Sequence, residues 1–269
     1  MVKNNLLTPS GARLQLIKAS GKKNLHWLFL PGGPGLGSES LNLLFNSLEL
    51  PGSLWRLDLP GDGSNTTQNN YESFSHWKDA LVEAVRQFEH VILVAHSTGG
   101  MYALSTPELE ELLDGLVLLD SAPNATWQES FGNFPIPQLA SLQEQYVKNP
   151  NNELLKEITI ACAPYLFTEK GIEIGRKMLE SLPYNFESHL WSDRYFDHTY
   201  HAKWIPKTIP TLIISGEQDL ITPLKLFSET KEFHRDNIKI KSIKNAGHFP
   251  WIENSGGVAK EFKEFSLQF

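Results

Sequence analysis

Cysteine is almost absent from this sequence. Cys162 is the only one in 269 residues, so no disulfide can form within the chain and a reducing compartment is expected. No apolar run approaches the roughly 18 residues that a membrane-spanning helix needs. Met1 to Ser10 lack the apolar core of a secretory signal, and a cytoplasmic location is the resulting expectation. Lysine and arginine are scattered within a net charge of −7, which leaves no basic face for nucleic acid. There is no internal repeat or low-complexity tract. What remains, 41% hydrophobic residues over this length, is ample for one sizeable core with an insertion.

Short apolar runs alternate with helical periods along the chain. Strands are expected at Ala12–Lys18, His26–Leu30, Leu54–Leu59, Val91–Ala95, Leu116–Leu119, from Thr211, and at Ile238–Ile243. Leu41, Leu44, Phe45 and Leu48 recur at helical spacing, as do Phe74, Trp77, Leu81, Val85 and Phe88. Continuous apolar strands between helices imply an α/β fold, a mostly parallel twisted sheet with helices on both faces. The rhythm breaks between Ser121 and Trp204. That stretch has helical periods, no buried strand and thirteen aromatic residues. It is expected to be a helical cap, residues 121–204, inserted into a core formed by residues 1–120 and 205–269. Most of its aromatics should glue the cap to the sheet, and a few should line a pocket.

Three segments carry chemistry. Ala95-His96-Ser97-Thr98-Gly99-Gly100 follows a buried strand and opens a helix. A serine there, flanked by small residues two positions away on each side, forms a nucleophile elbow. The small residues allow close strand–helix approach around a strained backbone. Asp219 sits in the turn after the run Pro210–Ile214, and His248 in the turn after Ile238–Ile243. A serine, an acid and a histidine thus each follow a predicted strand, and parallel strands bring such ends to one edge. Asp120, at the end of Leu116–Leu119, is a rival for the acid.

Over nearly its whole length the chain resembles the α/β-hydrolase superfamily. The resemblance rests on Pro31-Gly32-Gly33-Pro34-Gly35, then Asp58-Leu59-Pro60-Gly61-Asp62-Gly63-Ser64, the elbow, Ser215-Gly216-Glu217-Gln218-Asp219, and Gly247-His248 with Glu253. Gly32-Gly33-Pro34-Gly35 is similar to a segment of proline iminopeptidases, with Pro31 where those enzymes carry histidine. The elbow looks more like that of cofactor-free haloperoxidases and related esterases. The resemblance implies the α/β-hydrolase fold and the chain order Ser97, Asp219, His248 for a catalytic triad. The commoner spacing to Pro223 favours Asp219 over Asp120.

Ser97 would attack a carbonyl carbon, with His248 as base and Asp219 orienting the imidazole. The N–H groups of Thr98 and Gly33 would form the oxyanion hole; Pro31 and Pro34 have no N–H to offer. His96 reads as supporting structure and Cys162 as a buried structural thiol. His198 and His201 near Asp193 and Asp197 are weak metal candidates, so neither metal nor cofactor is expected. The expected function is a serine hydrolase of a small ester or amide, acting through an acyl-enzyme, with a small molecule or short peptide as its partner. An aminopeptidase of the proline-iminopeptidase type is an alternative, in which Glu180, Glu187, Asp193 or Asp197 would hold the substrate amine. A C–C hydrolase, a thioesterase or a ligand-binding member of the fold are the others.

Overall fold

Eight strands form one sheet in the order β1-β2-β4-β3-β5-β6-β7-β8. They are β1 (Asn5–Leu7), β2 (Arg13–Ser20), β3 (His26–Leu30), β4 (Gly52–Asp58), β5 (Val91–His96), β6 (Gly115–Leu119), β7 (Thr211–Gly216) and β8 (Ile238–Ile243). β2 runs antiparallel to both its neighbours, β1 and β4; β3 to β8 run parallel. This computed structural model describes residues 4–20, 24–66, 71–130 and 136–269. Phe131 and Phe134 of the aromatic set lie outside the described residues.

The central strands are buried almost throughout and apolar along their middles because both sheet faces are covered. Successive side chains point to opposite faces, and the core divides accordingly. Trp27, Phe29, Ile92, Val94, Val117, Leu119, Leu212 and Ile214 belong to one cluster, closed by Leu41, Leu44 and Phe262. Leu28, Leu30, Leu93, Ala95, Leu116, Leu118 and Ile213 belong to the other, closed by Trp77, Leu81, Val85 and Tyr102. Each fully buried aliphatic or phenyl side chain contributes about 1.5–3 kcal/mol. The edge strand β8 alternates instead, with Lys239 and Lys241 exposed, which discourages pairing with another chain.

Three details differ from the sequence reading. β1 has no counterpart among the expected strands: it has three residues, none of them buried, so no apolar pattern marks it. The second strand runs on to Ser20, past a register slip between Leu16 and Lys18; Ile17 is exposed there. The helical run from Phe74 breaks at His76 into Tyr71–Ser75 and Trp77–Val85. Phe88 falls beyond it and stacks on His26.

Strand order fixes where a site can form. The chain passes from β3 outward to β4, then returns to place β5 on the other side of β3. The loops after β3 and β5 therefore diverge at a switch point, where open α/β sheets bind ligands. Between β6 and β7 lie the helices Pro137–Lys148, Asn152–Ala161, Ile172–Glu180 and Phe186–Ser192, among shorter turns. The described residues include no helix long and apolar enough to cross a membrane.

Leu118 is fully buried between Ala95 and Ile213. Leu118→Ala should lower unfolding stability by about 2–5 kcal/mol, read as a lower urea midpoint with an unchanged far-ultraviolet spectrum.

Candidate active site

Ser97 follows β5 directly and precedes the helix Thr98–Leu104, with φ 51° and ψ −123°. A non-glycine residue at positive φ is strained, and neighbouring backbone holds it there. Its N–H donates to the Leu119 carbonyl at 2.9 Å, and the Ser121 hydroxyl donates to its carbonyl at 2.8 Å. The turn is also sterically tight. A Cβ on Gly99 would lie 2.3 Å from the Pro31 carbonyl oxygen, and one on Gly32 would lie 2.4 Å from Ser97 Cβ. Ala95 at the first small position is fully buried.

The three side chains read from the sequence meet. His248 Nε2 lies 3.0 Å from Ser97 Oγ. Its Nδ1 lies 3.1 and 3.0 Å from Asp219 Oδ1 and Oδ2. All three residues are buried. Asp219 also accepts the Ile221 and Thr222 N–H groups at 2.8 and 3.2 Å, and the Thr222 hydroxyl at 2.8 Å. Burial opposes its charge, but His248 and these donors outweigh it and hold the carboxyl below its ordinary value. The side chain of the rival Asp120 lies beside Asp219 and is hydrogen-bonded to the Gly216 N–H at 2.7 Å.

The N–H groups of Gly33 and Thr98 border the same space and have no hydrogen-bond partner among the described residues. The space is a cavity of about 540 Å³ whose lining is of two kinds. One is aliphatic, built from Leu36, Leu155, Ile158, Cys162 and Leu166 with Phe249. The other carries Gln128, His189, Asp193, Asp197 and His198. Neither lysine nor arginine lines it among the described residues. Asp193 and Asp197 bracket a turn of π-helix. Asp193 lies 3.4 Å from His198 Nε2, and Asp197 accepts the Ser192 hydroxyl at 2.9 Å. Burial pushes Asp197 up to about 6 and makes His189 less basic.

The model of the alpha/beta hydrolase family matches residues 27–261. The chain belongs to that family. It is 27% identical over 273 residues to the pimeloyl-[acyl-carrier protein] methyl ester esterase of Wigglesworthia glossinidia brevipalpis, covering 94% of this chain and 97% of that one. Among solved structures, a thermophilic esterase from Thermogutta terrifontis aligns with a TM-score of 0.70 at 19% identity, over 98% and 97% of the two chains. A proline iminopeptidase-related protein from Thermus thermophilus aligns with a TM-score of 0.70 at 21% identity, again over 98% and 97%. At those identities the structures speak to fold alone. Family membership makes this chain a hydrolase enzyme.

Several residues of this alpha/beta hydrolase support the site without facing Ser97. His96 places Nε2 3.0 Å from the His248 carbonyl and packs against Phe249 and Trp251. Burial and the neighbouring His248 lower it to about 3, so it is neutral at pH 7 and donates that bond. Glu253 accepts the Gly247 N–H at 2.6 Å and the Thr168 N–H at 2.8 Å, which ties the histidine loop to the helical segment. The motif Asp58–Ser64 proves to be a clamp on the Gly33 loop. Asp62 accepts the Gly35 and Gly37 N–H groups at 2.7 and 3.2 Å, and Asp58 accepts that of Ser38 at 2.8 Å. The spacing of these acids marked the loop, but not what they hold.

Other expectations come out differently. Of the described aromatics in the segment between β6 and β7, Trp127 alone lines the cavity. Several of the others are anchors: Phe196 meets Trp77 and Tyr102, Trp191 meets Phe74, and Phe167 stacks on Phe249. Cys162 is buried as expected, but it also borders the cavity; burial pushes its thiol up to about 11. Glu180 is exposed and Glu187 does not line the cavity, whereas Asp193 and Asp197 do. His198 is bound to Gln128 and Asp193, and His201 turns to the Thr199 carbonyl. Among the described residues, the groups of three that could ligate a metal reduce to Asp120, Asp219 and His248. These are the buried residues behind Ser97, not the histidines that the sequence points to.

Burial, with Asp58 adding to it, pushes Asp62 up to about 8. Between about pH 4, where an unfolded aspartate titrates, and pH 8, the folded chain holds a proton that the unfolded chain releases. Stability from this group therefore falls as pH rises through that window and levels off above it. Asp62→Asn removes the dependence. Urea midpoints at pH 5 and pH 8 should show wild type losing ground to the variant at the higher pH.

Proposed function

We propose that this chain is a serine hydrolase of small carboxylic esters, with Ser97 as nucleophile, His248 as general base and Asp219 as its orienting acid. The observation that carries the reading is the unbroken hydrogen-bonded line from Ser97 Oγ through His248 to Asp219. His248 Nε2 takes the hydroxyl proton as Oγ bonds to the carbonyl carbon, and Nδ1–H stays on Asp219, which stabilises the imidazolium. Charge developing on the carbonyl oxygen is met by the N–H groups of Thr98 and Gly33, which have no other partner among the described residues. His248 then protonates the leaving oxygen. Water attacks the acyl-enzyme by the same route in reverse order.

The lining of the cavity narrows the substrate. The aliphatic part suits a hydrocarbon portion, and the other suits a hydroxylated or amine-bearing portion. With two carboxylates and no lysine or arginine on the described lining, a free carboxylate or phosphate would enter without a counter-charge. A neutral ester is the reading that fits. The Wigglesworthia relative is named for a methyl ester, the same class of bond. We infer further that the described residues of 121–204 form a cap, since they supply Leu155, Ile158 and Leu166 together with Gln128, His189, Asp193, Asp197 and His198.

One observation favours a second reading. Two of the four late-cap carboxylates, Asp193 and Asp197, border the cavity, and either could hold a protonated amine. That would make the enzyme an aminopeptidase.

Ser97→Ala should lower kcat on a p-nitrophenyl ester by about 10³-fold or more and abolish labelling by a fluorophosphonate. A wild-type protein that takes no label would refute the hydrolase assignment to Ser97. Comparing an aminoacyl arylamide with its N-acetyl form separates the two readings. Similar turnover of both supports the ester hydrolase, and at least a tenfold preference for the free amine supports the aminopeptidase.

A further inference from the structure

The proposed mechanism uses Asp219 but not the carboxyl group beside it. Asp120 directly follows β6, the strand between those that carry Ser97 and Asp219. It is fully buried, with φ 41°. Its N–H donates to the Ile214 carbonyl at 2.8 Å, and its Oδ1 accepts the Gly216 N–H at 2.7 Å. Its Oδ2 has no hydrogen-bond donor among the described residues. A carboxylate oxygen of each aspartate and a ring nitrogen of His248 all lie within 4.8 Å of one another.

Two carboxylates this close in a dry interior do not both ionise. Donor count decides which one holds the charge. Asp219 receives two backbone N–H groups, the Thr222 hydroxyl and His248 Nδ1; Asp120 receives one N–H. Asp219 keeps the charge and Asp120 keeps a proton, which belongs on the unpartnered Oδ2. Burial, then the charge of Asp219, drives the Asp120 carboxyl well above the ordinary range. The groups facing it are Asp219 from the loop after β7, and His248 and Glu253 from the segment after β8. His96, from β5, faces His248 in turn.

We propose that Asp120 is a reserve acid: a neutral carboxyl beside Asp219 that ionises and balances the charge on His248 whenever Asp219 is neutral. It acts through Asp219 and His248 and is a positioning residue. When Asp219 loses its charge, the like-charge neighbour that kept Asp120 protonated is gone. Asp120 then releases its proton to solvent and becomes the anion of the site. This inference rests on the proposed roles of Ser97, His248 and Asp219.

Two measurements test it. The first is a double-mutant cycle in kcat on the ester. An amide in place of a triad aspartate typically costs about 10⁴-fold. With Asp120 in reserve, Asp219→Asn should lose about 10²-fold, and Asp219→Asn/Asp120→Asn at least tenfold more than the product of the two single losses. The residual activity of Asp219→Asn should also show an ionisation limb that the double variant lacks. Single losses that simply multiply, with no such limb, overturn the proposal. The second measurement does not depend on activity. The infrared C=O stretch of a protonated carboxylic acid at pH 7 should diminish in Asp120→Asn and, independently, in Asp219→Asn. The second variant keeps the test open if the first fails to fold, and Asp62→Asn identifies the share of the band from Asp62. A band unchanged by either variant overturns the proposal. Failure of fluorophosphonate labelling would instead strike the hydrolase reading and leave the infrared result standing.

Discussion

A carboxylate buried as deeply as Asp219 survives only if it is surrounded by donors, and that requirement organises this end of the molecule. The donors come from its own turn, through Ile221 and Thr222, and from His248 across the gap between the β7 and β8 loops. Accepting His248 fixes the imidazole edge-on, so that its far nitrogen reaches Ser97. The geometry is inherited from the sheet. Strands β5 to β8 pair in parallel register, so their ends and the loops that follow them share one edge. No residue near the site could hold this arrangement if the core strands slipped.

The loops at that edge are not free to drift. The histidine loop is hydrogen-bonded to the helical segment by His248 N–H to the Leu166 carbonyl and by Glu253 to Thr168. The Gly33 loop is gripped from below by Asp58 and Asp62. From above, its Gly35 carbonyl accepts the Asn185 N–H at 2.8 Å. A Cβ on Gly35 would lie 2.2 Å from the Asn185 carbonyl oxygen, so that contact requires glycine. The helices between β6 and β7 thus do two things at once: they wall the cavity, and they pin the two loops that face Ser97.

Much of this was legible in the sequence, for a physical reason. Strands covered on both faces must be apolar along their middles, so β3, β5, β6 and β7 stood out as short runs bounded by turn residues. The elbow and the two later turns could be placed because each follows such a run. Features set by packing across the chain were not legible. β1 half-buries only Leu6 and leaves no apolar pattern. Asp120 looked like a competitor for Asp219, when the two are neighbours. Aromatic richness between β6 and β7 pointed mostly to glue with a few pocket residues; which rings went where was not legible, and large flat rings went to the joints, where Tyr102, Trp77 and Phe74 receive them. Smaller aliphatic residues were left to border the open space, where they leave more room.

The site is also where the molecule departs from its own rules. Of the three non-glycine residues at positive φ among the described residues, Ser97 and Asp120 directly follow adjacent strands at this edge. Burial drives up the carboxyl groups of Asp58, Asp62 and Asp120, each within or next to the loops that face the cavity. Backbone strain and acids kept from ionising both weaken the folded state. They persist because two continuous apolar clusters, one on each sheet face, lie directly beneath and supply the opposing stabilisation. Substitutions that relieve these local penalties should raise stability at the expense of the geometry around Ser97, the trade-off expected where a strained edge is built on a rigid sheet.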